Sequence, residues 1–501
     1  MMDLPRPLGV PDIVRDLMIH ALPAEPWQAG DVPDPRFVYL PASHVRALRP
    51  DTMVVVGMRG AGKSFWWSAL QDKRIRRLVN QLARETQVQE ETLVRMGFGE
   101  RHAPWDYPQK DVLAQLLDAG IEPRAIWRTV VVHKLADDTH PVRTLDRWRE
   151  RIEWVRNNPE PVDHLLADKD HEFERKQLWF LVLFDALDRS AGNWKDMYRL
   201  IRGLLQIALE FRSYRRLRVK CFLRTDQMDT DRVADFPDAS KVVVPRVELS
   251  WPERDLYGLL WQYLANADHP AAQKFRHWAE RDHGVRWSAV SLDGVTVWRA
   301  LPESRAHQDG YRNLFHHISG PWMGRDPRRG FPYTWIPGHL SDSHRQTSPR
   351  PFLAALRAAA EDTRERYPDH KYALHYESIK RGVRRASQIR VNELKEDYPW
   401  VDWLMNPLQG MTVPCSFKEI AVRWEEAGSL RRIEREVERG DVRLEPAHWR
   451  EGPEGLSQDL EDLGIFFRTR DNRINIPDVF RVGYGLGRRG GVPPVRRGEE
   501  S

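Results

Sequence analysis

Eight residues, Gly57-Met58-Arg59-Gly60-Ala61-Gly62-Lys63-Ser64, constrain this chain more than any other segment, because they fill every fixed position of the pattern G-x-x-x-x-G-K-[ST]. The pattern has mechanical meaning only between a strand and a helix. Thr52 to Val56 is an apolar, β-branched run that supplies the strand, and Ser64 to Leu70 reads as the start of a helix. Backbone N–H groups then converge where the helix dipole is positive. Gly57, Gly60 and Gly62 permit a turn tight enough for the backbone to approach phosphate oxygens. In this arrangement Lys63 reaches the β- and γ-phosphates and the Ser64 hydroxyl ligates Mg2+. Arg59, Ala61 and Phe65 belong to the same nucleotide-binding loop.

A second segment, Leu181-Val182-Leu183-Phe184-Asp185-Ala186-Leu187-Asp188-Arg189, is a buried strand that ends in a carboxylate. A phosphate site needs such a carboxylate to hold Mg2+ opposite the loop, and Asp185 is in the position to do so. The acid that ordinarily follows is absent, since Ala186 stands there. Asp188 is therefore the candidate for orienting or activating the attacking water, with a helix cap or an ion pair to Arg189 as the structural alternative. A third strand, Val219 to Leu223, ends in Arg224-Thr225-Asp226. In a parallel sheet this end faces the γ-phosphate, which makes Arg224 a nucleotide sensor or else a structural cap on the sheet edge.

The order of phosphate loop, Asp-Ala-Leu-Asp strand and polar-ended strand, followed by a helical region, resembles the AAA+/STAND branch of P-loop NTPases. The segment Asp185 to Arg189 looks like the Walker B region of NACHT and KAP-type ATPases, and is similar to bacterial P-loop ATPases of defence or conflict gene neighbourhoods. The resemblance covers about residues 45 to 265. It implies an α/β P-loop NTPase core with a parallel sheet, then a helical lid and a C-terminal winged-helix-like domain. ATP and Mg2+ are the implied ligands, a partner effector protein the implied target, and a homo-oligomer an implied assembly. Arg350, at a helix start in Ser348-Pro349-Arg350-Pro351, matches the lid arginine that contacts nucleotide in that family. Two departures, the missing acid at 186 and the 121-residue separation of Ser64 from Asp185, point to slow hydrolysis and to helices inserted between the first strands.

The 501 residues allow two to four domains at roughly 150 each. We place an extended lead-in at 1–45, the ATPase core at 46–265, a lid or insertion region at 266–370, a helical and winged-helix-like domain at 371–485, and a basic disordered tail at 486–501. Expected core strands are Met53 to Val56, Ile126 to His133, Trp179 to Phe184, Arg218 to Leu223 and Val242 to Leu249. A hairpin is expected at Ser288 to Trp298, an ordered loop at Gly320 to Pro351, and a wing over Leu463 to Ile476. Prolines 23, 26, 33, 35 and 41 argue against a long helix in the lead-in.

Apolar residues at 41% and charged residues at 30% exclude collagenous, mucin-like and wholly disordered chains. Two cysteines, Cys221 and Cys415, are too few for a disulfide framework and suit a reducing cytoplasm. The longest apolar runs fall far short of the roughly 20 residues that span a bilayer, so no membrane partner is expected. The net charge of +5 is small, although Arg outnumbers Lys by 64 to 14. Arg468, Arg470, Arg473, Arg481, Arg488, Arg489, Arg496 and Arg497 gather late in the chain, where a basic surface would meet a phosphate backbone.

The leading expectation is an ATP-binding, slowly hydrolysing regulatory ATPase that switches conformation or assembly to control a partner, in anti-phage defence as the resemblance implies. The alternative is a DNA-binding ATPase, a loader, remodeller or partition-type factor, that uses the winged-helix-like region. A small-molecule phosphotransferase is disfavoured by the extra domains.

Overall fold

The computed structural model describes residues 10–24, 31–301, 308–440, 442 and 444–488. They divide into two compact units, one within 31–250 and the other comprising 10–24 and 251–488. Arg489, Arg496 and Arg497 lie outside the described residues.

The unit within 31–250 is built on five parallel strands: β1 (Val54–Gly57), β2 (Leu93–Phe98), β3 (Phe180–Phe184), β4 (Leu217–Arg224) and β5 (Val247–Glu248). Their order across the sheet is β2-β3-β4-β1-β5. Every residue of β1 and β3 is buried, as expected for strands covered on both faces by helices. The chain leaves β1 for the far edge at β2 and works back through β3 and β4, so β1 lies where the direction of winding reverses. In open parallel sheets ligands bind beyond the C-terminal strand ends at such a point. The helices expected between the first strands are present, including Pro123–Leu135, Trp148–Asn157 and Pro159–Arg175, all between β2 and β3.

Two strand expectations need correction, and one strand, β2, stands outside them. Ile126 to His133 is helix, part of Pro123–Leu135, with Pro123 in the first turn. Its β-branched run is buried nearly all round, and a helix buried on all sides lacks the periodicity that separates it from a core strand. The strand that replaces it is β2, an edge strand whose Arg95 is exposed and whose Gly97 lies against the Phe184 ring. In Val242 to Leu249 only Val247–Glu248 is strand. Ser240–Val243 is a helical turn, and Pro245 separates the two.

A buried lysine ties the sheet to its N-terminal flank. Lys220, on β4, donates to the carbonyls of Ala47 at 2.8 Å, Arg49 at 2.9 Å and Thr52, so three carbonyls that leave the helix Ala42–Leu48 and approach β1 share one ammonium. Arg218 reaches Asp51 at 3.0 Å from the same strand.

The second unit is mainly helical. Helix Val10–Ala21 belongs to it and corrects the extended lead-in: Val14, Leu17 and Met18 are buried along one face, Pro11 sits in the first turn where it is tolerated, and the run from Pro23 onward lies beyond its end. Arg15 Nε donates to Ala373 O at 3.0 Å, and Arg357 Nη1 to Leu22 O at 2.5 Å. The loop expected at Gly320 to Pro351 contains the helix Pro332–Leu340. Helices Pro349–Arg366 and Tyr376–Asp397 cross closely at Gly382, where a β-carbon would lie 2.2 Å from Ala355 O.

The expected hairpin is present as β6 (Trp287–Leu292) and β7 (Val295–Ala300). Toward the C-terminus, β8 (Thr412–Val413) precedes helices Phe417–Glu426, Ser429–Glu438 and Gly452–Asp462. An antiparallel pair, β9 (Phe467–Arg468) with β10 (Ile474–Asn475), follows, and β11 (Gly487–Arg488) pairs with β8. No helix among the described residues is long and apolar enough to cross a membrane.

Helix Trp194–Phe211 packs through Gly203 on the start of Pro123–Leu135, where an added β-carbon would meet Pro123 Cβ at 2.6 Å and Arg124 N at 2.7 Å. Gly203→Ala is expected to lower stability by about 1–3 kcal/mol through overpacking, read by urea unfolding.

Candidate functional site

The loop after β1 has the shape its glycines foretell. Gly60 and Gly62 have φ of 80° and 103°, values that L side chains rarely adopt. Gly57 is closed in, since a β-carbon there would lie 3.1 Å from Ala61 Cβ and 3.3 Å from Leu249 Cβ. Gly62 then leads into helix Lys63–Ala69. Arg59 is half-buried on the loop, Ala61 is buried beneath it, and the half-buried Phe65 ring meets Trp66 edge-on at 5.1 Å.

Lys63 folds back over the loop. Its Nζ donates to the carbonyls of Gly57 and Met58, both at 2.8 Å. Burial lowers its pKa to about 8, opposed mainly by the Asp185 carboxylate and aided by the Arg224 charge, with Asp226 and Asp188 also opposing. Asp185, the residue after β3, is 4% exposed. Burial raises its pKa to about 6 against a hydrogen bond from the Ser64 hydroxyl, the charge of Lys63 and the N–H of Ala186. The loop after β1 and the end of β3 thus meet through Ser64, Lys63 and Asp185.

Arg224, at the end of β4 between them, forks onto Asp226 with Nε to Oδ1 at 3.1 Å and Nη2 to Oδ2 at 2.7 Å. Gln227 Oε1 accepts the Arg224 N–H at 2.8 Å and fixes the turn. Asp188 lies in the single 3-10 turn Leu187–Arg189 and acts electrostatically on both Asp185 and Lys63. The structure therefore brings together five groups proposed from sequence, namely Lys63, Ser64, Asp185, Asp188 and Arg224. Arg350 belongs to the other unit, where its Nη1 meets Glu393 Oε1 at 2.7 Å.

Sequence reasoning missed the neighbourhood of β2 because it missed the strand. The Asp185 N–H donates to Phe98 O at 3.1 Å, and Arg189 forms an ion pair with Glu100. Gly99 is pressed on Trp67 of the loop helix, whose Nε1 reaches Leu183 O at 3.4 Å. The glycines in Met96-Gly97-Phe98-Gly99-Glu100 were the available signal of close packing.

The loop helix is anchored on its other side by His44. Trp66 Nε1 donates to His44 Nδ1 at 3.0 Å, and the opposite ring nitrogen, Nε2, donates to Ser250 O at 3.1 Å. Burial drives the His44 pKa down to about 3, so the ring is neutral and its tautomer is set by the two bonds.

No protein-family model and no curated protein matches the chain. Among solved structures, the ORC2 protein of Aeropyrum pernix in ADPNP–ADP complexes is similar, with 13% identity and a TM-score of 0.37 over 88% of this chain and 93% of that one. CDC6P from Pyrobaculum aerophilum gives 10% identity and a TM-score of 0.31 over 91% and 94%. At such scores neither bears on the site, whose reading rests on its own geometry.

The two shifted groups bound the pH range for binding a magnesium–phosphate ligand. Below about pH 6 Asp185 takes up a proton and ceases to be an anionic ligand, and above about pH 8 the ligand-free Lys63 loses the charge that meets phosphate. Affinity for Mg–ATP, measured with a fluorescent analogue from pH 5 to 9, should be greatest between these values. It should fall by up to about tenfold per pH unit outside them, one proton being linked on each side.

Proposed function

We propose that the chain binds ATP with Mg2+ at Gly57–Ser64, hydrolyses it slowly, and uses the nucleotide state to control a partner protein. The observation that carries this reading is the meeting of Lys63, Ser64 and a buried Asp185 at the C-terminal edge of a parallel sheet. Lys63 now bonds two loop carbonyls, which a phosphate would replace as its partners. Ser64 and Asp185 are hard oxygen ligands already in hydrogen-bond contact, a donor set that fits Mg2+. When bound, the ion would neutralise charge on the β- and γ-phosphates. Arg59 would flank the phosphates, Arg224 would sense the γ-phosphate from the end of β4, and Arg350 would be the lid contact that the family resemblance implies. Asp188 is a candidate to orient water.

Slow turnover is favoured because Ala186 provides no proton acceptor directly after Asp185. The regulatory role, with defence as its setting and a homo-oligomer as one form of switching, follows the family resemblance. Support for the DNA-acting alternative comes from the three helices and hairpin of 417–475, a winged-helix-like order of elements. Several arginines it would use are otherwise engaged. Arg468 pairs with Glu461 at 3.0 Å, Arg473 with Asp471 at 2.6 Å, and the buried Arg481 with Asp478 at 2.7 Å. We therefore prefer the protein-directed reading, and a salt-sensitive shift of DNA by the purified chain would reverse that preference.

Lys63→Ala should abolish Mg2+-dependent ATP binding. Asp185→Asn should retain nucleotide and lose at least about 100-fold in turnover, measured as phosphate release. Full hydrolysis in either variant would refute the assignment.

A further inference from the structure

The residue directly after Asp185 offers no acceptor for a water proton. Ala186 occupies that place with φ of 56°, a left-handed conformation seldom taken by a residue with a β-carbon. The neighbouring strand offers one. β2 runs parallel to β3 with Phe98 opposite Phe184, and the hydrogen bond from Asp185 N–H to Phe98 O continues the ladder past the strand end. Glu100 follows two residues later, at the same edge of the sheet as Asp185 and the loop Gly57–Ser64.

The backbone that presents Glu100 is fixed from both sides. The Tyr107 hydroxyl lies 3.4 Å from Gly99 O and also hydrogen-bonds with Arg101 O. Gly99 lies so close to Trp67 that a β-carbon would sit 2.4 Å from the ring, which ties this segment to the helix that begins with Lys63. The Glu100 side chain is 31% exposed, so water reaches it. Its carboxylate pairs with Arg189, in the same one-turn helix as Asp188.

Resting on the ATPase reading above, we propose that Glu100 is the general base of hydrolysis, a carboxylate supplied by the strand beside β3 in place of the residue after Asp185. The water oxygen bonds to the γ-phosphorus as the bond from that phosphorus to the β–γ bridging oxygen breaks, its electron pair leaving on ADP. The water proton passes to the Glu100 carboxylate and is then released to solvent or phosphate. Arg189 fixes the direction of the carboxylate and takes no part in the transfer.

The test compares ATP turnover and nucleotide affinity in the full chain for wild type, Glu100→Gln, Glu100→Asp and Arg189→Gln. Glu100→Gln should lower kcat by about 10²–10⁴-fold, the range typical of a lost general base, with affinity within about threefold of wild type. Glu100→Asp, which keeps a carboxylate, should turn over faster than Glu100→Gln, and Arg189→Gln should stay within about tenfold of wild type. Equal losses in Glu100→Gln and Arg189→Gln would show that the pair is only a tie, and equal rates for Glu100→Gln and Glu100→Asp would show that the carboxylate is not used. Either result overturns the proposal. So does undiminished turnover in Glu100→Gln when Asp188→Asn has lost it, which assigns the base to Asp188. A wild type that binds ATP without hydrolysing it removes the ATPase reading and this proposal together.

Discussion

The hydrogen bond between Ser64 and Asp185 is the contact on which the remaining arrangement depends. It joins residues 121 apart in sequence and brings together the segments that follow β1 and β3, although β4 separates those strands. Two strand spacings amount to about 10 Å, which a short hydroxyl and a short carboxylate span only because the loop after β1 leans toward β3. Parallel pairing fixes the offset of the two strands: Gly57 lies opposite Arg224 and Phe184 opposite Cys221, so β3 ends level with Val54, three residues short of the end of β1. A register slip by either strand would separate the hydroxyl from the acid.

Charge burial explains why the surroundings are so strongly bonded. An ammonium and a carboxylate out of water are costly unless paired and hydrogen-bonded. Lys63 uses two carbonyls and the nearby acids, while Asp185 uses a hydroxyl, a backbone N–H and the lysine charge. Arg224 and Asp226 neutralise each other at the end of β4 rather than leaving a second uncompensated charge beside them. Farther back in the sheet, Lys220 is satisfied by three carbonyls alone, a structural use of lysine distinct from that of Lys63. The two lysines lie on adjacent strands or their extensions, yet only Lys63 stands at the end where ligands bind.

The parts of the site that sequence revealed are those where function demands a short contiguous pattern. Gly60 and Gly62 appear as glycines because their backbone angles require it, and Asp185 is legible because a carboxylate ends an apolar run. Periodicity failed where burial is uniform. Ile126 to His133 satisfies the description of a core strand residue by residue, and only Pro123 and the length of the segment indicate a helix. β2 was obscured for the opposite reason, since an edge strand with Arg95 and Gly97, and Gly99 just beyond it, lacks the apolar density of β1, β3 and β4. The Glu100–Arg189 pair depends on which strands are neighbours, which no local pattern encodes. The helix Val10–Ala21 was hidden by the prolines from Pro23 onward, which lie beyond its end.

The ring of His44 has a mechanical consequence as well. One nitrogen accepts from Trp66, the other donates to the carbonyl of Ser250, and that carbonyl also accepts from the Ser43 hydroxyl at 3.1 Å. Ser250 is the final residue before the chain crosses into the second unit. A neutral imidazole locked in one tautomer behaves as a rigid strut rather than a swivel, because rotating it breaks both bonds at once. Any displacement of the helix behind the phosphate loop is thereby geared to the last peptide of its own unit, and the exit of the chain keeps a fixed bearing on the loop for as long as the strut holds.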